Sequence, residues 1–344
     1  MPHNPEEQIA ARLRMSENMK GYVDEALEML DADPSSEFNV NIENMISSCN
    51  HRFHTFTQPP GYWTIDLHDL WRQFIWCAKG TPADDTRQDQ RAMQILHIRE
   101  LGVVINSSEE APREALTPEG ERIWVDLPYL AADFRDVWEN ALDMKPSHMK
   151  NLAAFTARLA SVGVCEDRLT FCMLQLCKQV LETEQPAGGA PLTELLPAVS
   201  QWFQHCGEKL NRLTLSSSTF EDDARTSPGP LAQAAGIEET GFCVSRWLFW
   251  RKKVKDFALS GEERLAAEGR QVFDTMMMVG QNTRNKLPGE SRYWDKVYEA
   301  MGRMVHTKSG GVSMAEVDID LNWVNEQKDD KLPLPVAPSE TSKL

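Results

Sequence analysis

The sequence predicts an all-α protein, an irregular multi-helix bundle, and three observations carry that reading. Apolar residues recur at helical spacing along most of the chain. Alternation of the strand type is almost absent. Proline- and glycine-bearing polar stretches punctuate the periodic segments instead of hairpin turns. The expected organisation is a single globular domain over residues 1–325, followed by a disordered tail at 326–344.

The first clear helix face is Leu67, Leu70, Trp71, Phe74, Ile75 and Ala78, which follows the i, i+3, i+4, i+7 pattern. The pattern returns in Leu169, Cys172, Met173, Leu176 and Val180, then in Leu196, Val199, Phe203, Cys206 and Leu210. Leu265, Gly269, Val272, Met276 and Val279 give a fourth case. The best strand candidate, Leu101 to Ile105, is short and reads as a helix extension or an entry to a loop. Breaks fall at 106–120, 183–192 and 216–230, where Pro, Gly and Ser cluster. The tail, NEQKDDKLPLPVAPSETSKL, is too polar to bury enough surface to order itself.

A net charge of −16 argues against general binding to nucleic acid or to an anionic membrane, because like charges repel. No segment is apolar over the roughly 18–20 residues that a bilayer span needs, and the N-terminus lacks a signal-peptide core. Seven cysteines with no Cys-x-x-Cys pair read as reduced thiols. The expectation is a cytoplasmic protein, with a nuclear location left open.

The commonest chemical signatures are missing. There is no G-x-x-x-x-G-K-[ST], no G-x-G-x-x-G, no G-x-S-x-G and no H-E-x-x-H. Catalytic residues are therefore unknown from the sequence, and no cofactor is expected. Two fragments invite a metal. SCNHRFH offers Cys49, His51 and His54, with His68 nearby, but zinc wants a second converging cluster, so surface histidines on a helix end are the better reading. DDTRQD offers Asp84, Asp85 and Asp89, a possible magnesium box. The segment follows Gly80-Thr81-Pro82, however, where carboxylates cap the start of a helix.

The stretch GFCVSRWLFWRKKVKDF (241–257) is rich in aromatics and cations. On a helix spanning 244–258, Trp247, Trp250, Val254, Phe257 and Ala258 share one face. The expectation is a core helix whose cations Arg251, Lys252, Lys253 and Lys255 face water near the acidic loop Glu221-Asp222-Asp223. Arg246 and Lys253 are placed at the flanks of the apolar stripe. Phe249 falls on the polar side and is the candidate contact with another element or a partner. Trp71, Phe155, Leu176, Trp247 and Trp250 are the expected core.

Several segments in order resemble an uncharacterised family of fungal helical proteins of unknown function. They are LHDLWRQFIWCAK (67–79), QDQRAMQIL (88–96), DLPYLAADFRDVW (126–138), NLAAFTARLASVGV (151–164), LLPAVSQWFQHCGEKL (195–210) and GPLAQ…GFCVSRWLFWRKKV (229–254). The likeness spans about residues 60–280. Where the family pattern has Gly-Pro-Leu-Trp, this chain has Ala232 in place of the Trp. Some members look like products of genes in secondary-metabolite clusters, and no catalytic residue carries over.

The resemblance implies an accessory protein of polyketide- or peptide-type biosynthesis, binding an apolar intermediate and steering its cyclisation or isomerisation. A non-enzymatic scaffold or regulator is the alternative, and a metal-dependent diphosphate enzyme using Asp84, Asp85 and Asp89 a weaker one. The expected partner is an apolar small molecule or another protein, with no nucleic acid and no membrane.

Overall fold

The structure, a computed structural model, describes residues 4–32, 42–55, 60–106, 113–185, 189–220, 224–283 and 285–305. The tail at 326–344 and the acidic loop 221–223 lie outside the described residues. The chain is all-α and divides into two compact units, Met1–Met173 and Leu174–Leu344.

In the first unit α1 (Pro5–Ala32), α2 (Ile42–Thr55), α5 (Leu130–Glu139) and α6 (Pro146–Ser161) pack around α3 (Pro60–Gly80). Most of the centre of α3 is buried: Leu67, Leu70, Trp71, Phe74, Ile75 and Ala78 are buried, and so are Trp76, Cys77 and the polar Asp66, Asp69 and Gln73. Helix α4 (Thr86–Glu100) lies against α6 and starts at Asp85, whose carboxylate accepts the Arg87 N–H. Beyond Leu101 the chain runs into a two-residue antiparallel pair, β1 (Ile105–Asn106) with β2 (Arg113–Glu114). The stretch from Leu101 to Ile105 therefore leaves the helix rather than extending it. Helix α7 (Phe171–Val180) contains the boundary between the units.

The second unit comprises α8 (Leu192–Leu215), α9 (Pro230–Ala234), α10 (Val244–Ala258), α11 (Glu263–Thr283) and α12 (Glu290–Val305). Helix α11 packs against α8, α10 and α12. Two glycines permit its close approaches. A Cβ on Gly207 of α8 would overlap Val279 Cγ2, and one on Gly269 would lie 2.6 Å from the Ala258 nitrogen. Trp71, Phe155, Leu176, Trp247 and Trp250 are all buried, and so are all seven cysteines.

Candidate functional site

The aromatic–cationic helix α10 holds the densest polar chemistry of the second unit, and it corrects the expected solvated cations. Arg251 is 1 % exposed and Lys255 7 % exposed, whereas Lys252 is exposed and Lys253 half-buried; Arg246, placed at the flank of the stripe, is fully buried. The two arginines tolerate this because carboxylates meet them inside, while Lys255 pairs with the exposed Asp256 at 3.7 Å. Arg246 Nε donates to Glu182 Oε1 at 2.6 Å and Nη2 to Oε2 at 3.0 Å, a two-pronged pair. Arg246 Nη1 donates to the carbonyls of Thr226 and Gly241. Trp250 Nε1 donates to Glu182 Oε1 at 2.6 Å, and the Gly229 N–H to Oε2 at 2.6 Å.

Glu182 also sets the backbone around it. Its carbonyl accepts the Leu231 N–H, and a Cβ on Gly229 would sit 2.8 Å from both the Glu182 Cβ and that carbonyl oxygen. Gly-Pro-Leu at 229–231 and Arg-Trp-x-x-Trp at 246–250 are thus two halves of one clasp closed on Glu182. With both ionic partners at zero exposure, the clasp holds the fold and is closed to ligands.

On the next turn, Arg251 faces Glu290 at 3.7 Å and donates through Nη2 to the Pro288 carbonyl. Glu290 accepts the Leu287 N–H, and burial pushes its carboxyl up to about 7. Phe249, the candidate partner contact, packs against Ala232, Ile237 and Cys243 of its own unit, with Lys253 over its ring.

In the first unit the metal candidates do not converge. Cys49 is buried beside Asp66, and burial raises its thiol to about 12, a poor state for a thiolate ligand. His54 Nδ1 donates to the Ile105 carbonyl, and His51 is exposed. Asp85 caps α4 and bonds Arg87, which holds its carboxyl near 2; Asp89 pairs with Arg158, and Asp84 is exposed. Among the described residues no three His, Cys, Asp or Glu side chains are grouped to hold a metal. A buried network of Asp66 and Asp69 with Arg12, Arg52 and Ser16 ties α1 and α2 to α3.

His68 lands elsewhere. From α3 its Nδ1 donates to the Asp133 carboxylate of α5, 2.7 Å from Oδ1 and 3.0 Å from Oδ2. Asp133 is 8 % exposed and His68 29 %, so the carboxylate lies beneath and the imidazole at the surface. A carboxylate only accepts, so Nδ1 carries the proton in this hydrogen bond, and Nε2 has no hydrogen-bond partner among the described residues. Burial raises the Asp133 carboxyl, and the His68 hydrogen bond opposes that.

The Tyr129 ring stacks on His68 with centroids 4.6 Å apart, and its hydroxyl donates to Glu119 at 2.8 Å. Tyr129 has φ +67° and Leu127 φ +49°, two left-handed residues that are not glycine. Such backbone costs on the order of 1 kcal/mol or more per residue and persists only where neighbours enforce it. Here Trp71 Nε1 holds the Pro128 carbonyl at 2.7 Å, and Leu127 and Leu130 are buried on either side.

Fold and sites together define an all-α protein with a closed carboxylate–guanidinium–indole clasp in one unit and a half-exposed histidine–aspartate pair in the other. The chain belongs to the family described as protein of unknown function DUF3632, whose model matches residues 71–254, just over half of the chain. Arg246, Trp250, Glu182, Gly229, Tyr129 and Asp133 all fall inside that match, while His68 lies three residues before it. The chain is also similar to oxopyrrolidines biosynthesis cluster protein G of Penicillium oxalicum (strain 114-2 / CGMCC 5302), at 27% identity over 230 residues. That alignment covers 59% of this chain and 62% of the relative, so less than two thirds of the relative's length is spanned. No solved structure matches the chain. No helix among the described residues is long and apolar enough to cross a membrane.

Proposed function

We propose that the chain is an accessory protein of fungal secondary-metabolite biosynthesis that binds an apolar polyketide- or peptide-type intermediate and steers its cyclisation or isomerisation. The observation that carries this reading is the similarity to a protein named for an oxopyrrolidines biosynthesis cluster. The decisive experiment is deletion of the gene followed by metabolite profiling. An accumulated intermediate, with loss of the end product, is the expected result; an unchanged profile overturns the reading.

A scaffold or regulator is the second reading, and one observation favours it. Met15, Tyr22 and Met29 recur every seven residues along the outer face of α1 and are 63, 73 and 64 % exposed. If this reading held, replacing the three by Ser or Gln would abolish association with another pathway protein and leave purified-protein chemistry untouched. In the diphosphate reading, the weaker one, Asp85 and Asp89 would have to release Arg87 and Arg158, with which they pair.

A further inference from the structure

We propose that His68, oriented by Asp133, is the general acid–base of a proton-transfer site for a neutral carbon acid flanked by carbonyl groups. The proposal rests on the biosynthetic reading above and gives it residues and a reaction class. Four features of the pair lead there.

The Nδ1 proton is committed to Asp133, which fixes both tautomer and ring orientation. Among the described residues Nε2 has no hydrogen-bond partner, and the side chain as a whole is 29 % exposed. The ring is held from its face by Tyr129, itself presented by a left-handed turn anchored on Trp71 and Leu127. An ordinary surface histidine needs neither a buried carboxylate nor a strained turn behind it. Finally, the hydrogen bonds of His68 among the described residues go to Asp133 and none to a cysteine or serine, so the chemistry we assign to the pair is proton transfer itself.

The chemistry balances without a co-reactant. Nε2 takes a proton from the substrate carbon: the C–H bond breaks, an N–H bond forms, and the electron pair moves onto the adjacent carbonyl oxygen. Asp133 stabilises the imidazolium that results. The imidazolium then returns the proton to a different carbon, or to the oxygen of a closing ring, and the neutral imidazole is restored. No oxidation or reduction occurs.

The surroundings select the substrate. Imidazole is a weak base, so the carbon has to be strongly activated, as between two carbonyl groups. The rim is acidic: Glu119 lies on Tyr129, and Asp136 is exposed on the same helix as Asp133. Arg72, a nearby cation, is engaged with Asp69 at 3.4 Å. An anionic substrate is disfavoured there and a neutral one accepted.

The test has two arms. In the first, the full chain is treated with diethyl pyrocarbonate at about pH 8, where imidazole is largely neutral, and acylation is followed by peptide mass spectrometry. His97, exposed on α4, is the internal reference. His68 is expected to react severalfold faster than His97, and Asp133→Asn to bring the two rates together. A His68 that is unreactive in the folded protein, or indifferent to Asp133→Asn, overturns the proposal whatever the pathway does.

In the second arm a deletion strain is complemented with wild type, His68→Gln or Asp133→Asn, each checked for normal expression and melting temperature. His68→Gln is expected to reproduce the deletion, with the end product falling by roughly a hundredfold or more. The accumulating compound should have the product's own mass, as a proton shift or an addition that closes a ring requires. Full restoration by His68→Gln overturns the proton-transfer site and leaves the accessory role standing. A deletion that changes nothing overturns both.

Discussion

Glu182 receives donors from an arginine, an indole and a backbone amide while having no exposure, so its charge is as important as its shape. Removing one member of a buried ion pair leaves the other unpaired at low dielectric, a loss of roughly 3–5 kcal/mol. Glu182→Gln is expected to lose about that much in urea unfolding, since Gln keeps the volume and abandons Arg246. A loss below about 1 kcal/mol would show that water reaches the clasp. Trp247 is different, because its ring packs edge-on against Phe203 at 5.2 Å and its contribution is volume. Trp247→Ala should cost roughly 3–5 kcal/mol, and a variant that melts with the parent would contradict its burial.

Helix α11 depends on absent side chains as much as on present ones. Gly207→Ala places a methyl on Val279 Cγ2 and is expected to cost about 1–3 kcal/mol, the range for overpacking. In a double-mutant cycle with Val279→Ala most of that loss should return, and additive losses would mean that the helices simply separate. Helix α12 carries a pH dependence through Glu290. Burial raises its folded-state carboxyl from the ordinary 4.5 to about 7, against the pull of Arg251, the Leu287 N–H and Lys286.

A folded value above the unfolded one means that the native state holds the proton more tightly. The associated stability is complete below about pH 4.5 and is lost as the pH rises through about 7. At about 1.36 kcal/mol per unit the loss is about 3 kcal/mol. The expected signature is a fall of that size between about pH 4.5 and about 7 that Glu290→Gln lacks when both are unfolded in urea. Parallel pH curves for the two proteins would assign the titration elsewhere.

Across the whole chain the −16 charge sets the field, and the cations of α10 do little to offset it outside. Arg246 is matched by Glu182 and Arg251 faces Glu290, while Lys255 is buried beside Asp256. The cationic surface that the sequence suggested is thus reduced to Lys252 and part of Lys253. At micromolar concentration and low salt, the purified protein is expected to leave a DNA duplex unshifted in a gel. Retention that weakens steeply with salt, and disappears in Lys252→Gln/Lys253→Gln, would identify a polyanion site.

Much of the helical framework was legible in the sequence because helix formation and face selection are local. The spacing of Trp247, Trp250 and Val254 is enough to place a helix at Val244–Ala258 and to turn those residues inward. Asp85 could likewise be read as a cap, since the break before it and the acid itself are adjacent. What periodicity cannot supply is the identity of the group opposite. Arg251 and Lys255 are read as solvated because an unpaired buried charge is prohibitive. Nothing near Arg246 reveals that Glu182, 64 residues earlier, is folded against it. His68 and Asp133 are 65 residues apart and sit on helices whose apolar faces alone were readable. The composition and the local pattern determined an acidic all-α chain. Which charges are paired, which are buried and which histidine has a carboxylate behind it were decided only when distant segments met, because pairing energy depends on separation in space.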